Sequence, residues 1–165
     1  MRKGRRRTRY LRFPQRLHYK IRRETPVDTE TTRTIVRRLY EAYVRGDRER
    51  VAATIDDNVD WVIYGPIDVF PFAGARRGKT AVLKALAAIE QDYELKRYVP
   101  EAIIADGDRA AVLSDAAFMQ RATGRMLSFR IVNFLRLRDG KIVEFREFSD
   151  TFDVTQQALG RWLDV

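Results

Sequence analysis

The stretch FLRLRDGKIVEFREFSD, residues 134–150, holds two strands about one turn. Asp139-Gly140 is a hairpin dipeptide: the tightest turns need positive φ at both central positions, which Asp tolerates and Gly adopts freely. The pattern predicts one strand over 125–138 and another from Lys141. Successive strand side chains point to opposite faces. Val143, Phe145, Glu147 and Ser149 therefore share one face; Ile142, Glu144, Arg146, Phe148 and Asp150 share the other. The first set is apolar until Glu147, so a carboxylate is expected on a buried surface.

Working outward, two more apolar strands are predicted at 100–106 and 109–121, with turns at Asp106-Gly107-Asp108 and Ala122-Thr123-Gly124. Upstream, Ile35, Leu39 and Tyr43 fall on one helical stripe beside Val36 and Tyr40, after a capping Asp28. Gly46 ends this helix, and Asp47 caps a short second one carrying Val51 and Ile55. NVDWVIYGP, 58–66, reads as a strand, and the Pro-, Gly- and Phe-rich segment 65–78 as a loop. A third helix follows at about 79–93, and a short helix over 154–163, capped by Asp150 or Asp153, closes the chain. Helices grouped ahead of a strand meander indicate an α+β fold, a curved antiparallel sheet wrapped around N-terminal helices. Its concave apolar side is the place for a small-molecule site.

Composition narrows the chemistry. The 165-residue chain, 45% hydrophobic, suits a single domain with a real core. It lacks cysteine, and its one histidine, His18, precedes the predicted domain. Disulfides, thiol nucleophiles, a Ser-His-Asp triad and a His/Cys metal site are thereby excluded from the body. Acid-base work falls to carboxylates, tyrosine or lysine, with no metal and no cofactor expected. No apolar run approaches the roughly 18–20 residues that cross a bilayer, so a cytoplasmic protein without membrane contact is expected.

The formal charge of +9 is local. Residues 1–24 hold eleven Lys and Arg against one acid, leaving 21 bases and 22 acids in the remainder. Residues 1–26 read as a basic, disordered tail outside a single domain at 27–165. Such an arm can bind nucleic acid or anionic lipid by releasing counterions, and it lacks the apolar core of a secretory signal. The competing expectation is a misplaced start codon, with the native protein beginning near Val27.

RLYEAYVRGDRERVAATIDDNVDW (38–61), AGARRGKTAVLKAL (73–86) and FLRLRDGKIVEFREFSD (134–150), in this order, resemble the nuclear-transport-factor-2-like superfamily. This is the cone-shaped fold of ketosteroid isomerases, SnoaL-like polyketide cyclases and limonene epoxide hydrolases. The resemblance covers residues 31–157. It places Glu147 at the catalytic aspartate that cyclases and epoxide hydrolases carry six residues after the Lys of GKI. The hydrolases' Arg and second Asp correspond to Ala116 and Phe118, so their water-activating relay is missing. The isomerases' general base corresponds to Ile63, and their first-helix tyrosine to Leu39, with Tyr40 and Tyr43 nearby. Their oxyanion-hole aspartate falls near Asn133.

Glu147 and Asn133 are thus the candidate catalytic pair. A desolvated Glu147 would have a raised pKa and could exchange a proton with an apolar carbonyl compound or an epoxide. Asn133, in phase with Phe129, Ile131 and Leu135, would hydrogen-bond the developing oxyanion. Tyr43, Trp61, Tyr64, Phe70, Phe72, Phe118 and Phe145 are the candidate ligand-binding residues. Tyr64 is out of strand phase with Trp61 and Ile63, so only one of these sets can face the pocket. The competing reading pairs Glu147 with Arg121, Arg125 or Arg130, leaving a noncatalytic ligand-binding or interaction domain. Glu144, Arg146 and Asp150, alternating with Ile142 and Phe148, suggest a half-polar outer face for homodimer formation. Arg76-Arg77-Gly78-Lys79 reads as a solvated loop or an anion site at a helix start.

Overall fold

The structure, a computed structural model, describes residues 28–163. The basic tract 1–26 lies outside the described residues, and so do the expectations attached to it. The elements run α1 Thr29–Val44, α2 Arg48–Ala53, β1 Ile55–Ile63, β2 Gly74–Arg77, α3 Lys79–Asp92, β3 Tyr93–Asp106, β4 Arg109–Gln120, β5 Met126–Arg138, β6 Lys141–Ser149 and α4 Thr151–Leu159. One six-stranded sheet has the order β2-β1-β6-β5-β4-β3. This is the α+β architecture expected, with α1 packed across β3 and β4, α3 against β1 to β3, and α4 against β5. Among the described residues no helix is long and apolar enough to cross a membrane.

Local chemistry sets the ends. Asp28 Oδ1 accepts from the Glu30 and Thr31 amides at 2.9 and 3.0 Å, capping α1. Asp150 Oδ1 accepts from Phe152 N and Asp153 N at 3.2 and 3.0 Å, so α4 starts at Thr151 rather than at 154. It stops at Gly160, φ 64°, a left-handed cap. The β5–β6 hairpin turns through Asp139 and Gly140, φ 51° and 74°.

Several elements depart from the sequence pattern. Ile55 opens β1 instead of ending α2, and is wholly buried beside Ile142. Gly74–Arg77 forms β2, pairing antiparallel with Asp60–Ile63 through backbone alone, since GARR has no apolar side chain larger than Ala. β3 begins at Tyr93, directly after α3, not near Pro100. Bulges between Leu95 and Arg97 and between Pro100 and Ala102 break its alternation, and as an edge strand it tolerates Pro100. Ile142, counted to the outer face, is wholly buried because a bulge between Arg136 and Leu137 shifts its phase. Finally, β1 pairs with β6 in parallel, so the sheet is mixed rather than purely antiparallel. No hairpin joins those two strands, so no turn dictates their direction.

Candidate functional site

Strand order brings the site together. β6 lies between β1 and β5, and Glu147 is in register with Ile63 on one side and Asn133 on the other. Inward from this line is a cavity of about 110 Å³. Its wall combines Leu39, Tyr40 and Tyr43 of α1 with Trp61, Ile63, Tyr98, Phe118, Phe145 and Glu147 of the sheet. Phe70 and Phe72 close it from the β1–β2 loop, and Val154 from α4. Trp61 and Phe145, paired across β1 and β6, stack with ring centroids 3.6 Å apart. The Arg76 guanidinium donates to the carbonyls of Ala73, Gly74 and Pro71 at 2.9, 3.2 and 3.1 Å, holding the Phe-bearing loop in place. Its role is structural, which removes it from any anion site.

Asn133 is wholly buried, and its Oδ1 accepts from the hydroxyls of Tyr40 at 2.7 Å and Tyr98 at 3.2 Å. With the oxygen occupied, Nδ2 turns to Glu147 and donates to Oε2 at 3.0 Å. Glu147 Oε1 has no hydrogen-bond partner among the described residues, while the residue lines the cavity. The carboxyl is thus anchored by one oxygen and free to react through the other.

Among the described residues no arginine reaches it. Arg130 pairs with Glu101 at 3.1 Å, Arg125 donates to the Ala158 carbonyl at 3.3 Å, and Arg121 to the Glu90 carbonyl at 3.2 Å. Burial without a cation pushes the Glu147 carboxyl up to about 7, with the Asn133 donor opposing. Burial, and then the charge of Glu147, also hold the hydroxyls of Tyr40 and Tyr43 protonated beyond the usual phenol range.

The sequence-predicted residues fall into two groups. Glu147, Tyr43, Trp61, Phe70, Phe72, Phe118 and Phe145 all line the cavity. Two candidates do not. Tyr64 lies on the outer face, 46% exposed and stacked on Phe148 with centroids 4.5 Å apart; the Trp61/Ile63 set is the inward one. Asn133 is not in the cavity wall; its oxygen accepts from two tyrosines and its Nδ2 donates to the Glu147 carboxyl. Tyr98 was not singled out from the sequence. It sits in the polar run YELKRY, where the bulge destroys the alternation that would have marked it as inward.

This α+β domain, with N-terminal helices on a curved six-stranded sheet, has the nuclear-transport-factor-2-like fold. More closely, the chain belongs to the SnoaL-like domain family, which matches residues 36–145. Among solved structures, a Rhodopseudomonas palustris protein provisionally named an isomerase is 39% identical, over 79% of this chain and 97% of that one, at a TM-score of 0.70. An NTF2-like protein from Burkholderia xenovorans is 26% identical, over 80% and 98%, at 0.71. An epoxide hydrolase of LEH-like type from M. tuberculosis, 18% identical over 80% and 92% at 0.66, shares the fold alone. Comparison with proteins of curated function finds no match.

Proposed function

We propose that this domain binds a small apolar carbonyl compound and that Glu147 moves a proton to or from it. The observation that carries this is a carboxyl in the cavity wall with one anchored oxygen and, among the described residues, no partner for the other oxygen and no cation beside it. A group titrating at about 7 populates both protonation states at neutral pH, which suits general acid-base catalysis. The Tyr43 hydroxyl, in the same wall and without a hydrogen-bond partner among the described residues, stays protonated and is available to the substrate oxygen. Trp61 Nε1, buried and without a partner among the described residues, is a second donor. Epoxide opening is the less favoured chemistry, because Ala116 and Phe118 stand where the resemblance requires Arg and Asp. The name of the Rhodopseudomonas relative agrees with a proton-transfer reading.

The test is α-proton exchange of cyclohex-2-enone in D₂O, followed by NMR. Exchange should rise as pH passes 7 and fall at least about 100-fold in Glu147→Gln. Equal exchange by both proteins would remove Glu147 from the chemistry. Binding of the ring compound without exchange would instead favour the noncatalytic ligand-binding domain.

We further propose that two copies pair through the outer sheet face. Phe134 and Phe148, 52% and 42% exposed, meet edge to face at 6.0 Å beside Tyr64. The Arg146–Asp60 and Arg136–Glu144 ion pairs, at 2.9 and 3.2 Å, frame this apolar strip. Light scattering should give twice the chain mass, and Phe148→Glu should halve it. A wild-type monomer at 100 μM would dismiss the pairing.

A further inference from the structure

At its far end from the sheet centre, the cavity meets a second hollow of about 380 Å³; Tyr43, Ile89, Tyr93 and Phe118 line both. Arg45, Arg48 and Arg121 line this mouth, with Glu90 as its only acid among the described residues. The three cations come from separate places: the end of α1, the start of α2 and the β4–β5 turn. This surplus stands out in a body with 21 bases and 22 acids.

The cations are unequally engaged. Arg48 forms an ion pair with Glu90. Arg121 donates to the Glu90 carbonyl and reaches Glu94 only at 3.9 Å. Arg45 is exposed and has no side-chain partner among the described residues. Tyr43 links mouth and interior, since it lines both.

We infer that the site takes apolar compounds bearing an anionic group, with the apolar end in the cavity and the anion at Arg45 and Arg121. This rests on the small-molecule reading above and adds the substrate class. Polarity supports it from both ends: an anion inside would face the Glu147 carboxyl with no cation among the described residues to offset it, whereas at the mouth it meets Arg45, which has no side-chain partner among them, and the half-exposed guanidinium of Arg121. The orientation then delivers the uncharged part of the molecule to Glu147 Oε1.

The probes are 3-phenylpropanoate and its neutral isostere 3-phenylpropanamide, titrated into the full chain by NMR at low salt. The carboxylate should bind about five- to tenfold more tightly, a preference that shrinks as salt rises. Arg45→Gln with Arg121→Gln should reduce the preference below about twofold while amide affinity stays constant, which shows the cavity intact. The basic N-terminal tract is identical in both proteins, so any anion binding there cancels. Arg45→Gln alone, which removes no intramolecular bond, should give an intermediate value. Equal binding of the two probes, or a preference that survives the double substitution, overturns the inference and leaves the small-molecule site standing. Binding of neither probe to the wild type overturns both.

Discussion

Glutamine at position 147 will stabilise the folded protein by about 3 kcal/mol above pH 8 and by almost nothing below pH 4. Folding raises the Glu147 pKa from 4.5 to about 7, and each unit is about 1.4 kcal/mol. Below pH 4 the carboxyl is protonated in folded and unfolded chains alike, and burial costs it little. Between pH 4.5 and 7 the unfolded chain has lost a proton that the folded chain keeps, so the unfolded state binds fewer protons and stability falls as pH rises. Above 7 the folded protein holds an ionised, desolvated carboxylate, and the penalty is at its full value. The glutamine amide is neutral throughout, and its oxygen can still accept from Asn133 Nδ2. Urea unfolding of both proteins at pH 4, 6 and 8 should therefore show a gap that opens with pH. A gap that stays closed at pH 8 would mean that Glu147 is hydrated, and the acid-base role would lose its physical basis.

Asn133→Leu should act in the opposite sense and at least as strongly. Leucine is similar in volume but removes three hydrogen bonds at a wholly buried position. The Tyr40 and Tyr98 hydroxyls would be left buried without their acceptor, and each such loss costs about 1–3 kcal/mol. A destabilisation of about 3 kcal/mol or more is expected in urea unfolding. The same change removes the donor that opposes the rise of the Glu147 pKa, so its carbon-detected titration should move above 7. A purely packing role for Asn133 would lower stability and leave that titration in place. Tyr98→Phe, which removes the longer 3.2 Å bond to Asn133, should cost less than Tyr40→Phe, which removes the 2.7 Å one.

Much of the fold could be read from particular residues. Asp139-Gly140 placed the β5–β6 hairpin, Asp28 and Asp47 marked helix starts, and strict alternation from Val143 onward put Phe145 and Glu147 inward. Expectation failed where local pattern and tertiary environment disagree. GARR has no alternating apolar residues, yet forms β2, because the β1 edge offers backbone partners. The bulges in β3 and at Arg136 shift side chains by one place, which turned Tyr98 and Ile142 inward against their apparent phase. Tyr64 and Trp61 could not be separated until the parallel pairing of β1 with β6 set which face of β1 is covered.

The sequence by itself determined the class of fold, the absence of cysteine and histidine chemistry from the body, and an acid in inward strand phase at position 147. These follow from composition and from period-two alternation, both local properties of the chain. Only the tertiary structure decided what that acid is. Asn133, Tyr40 and Tyr98 come from three elements far apart in sequence, and the arginines that were its alternative partners are drawn away to Glu101, Glu90 and Ala158. A carboxyl's proton affinity depends on every charge and dipole within a few ångströms, and those neighbours are assembled by strand order rather than by sequence spacing.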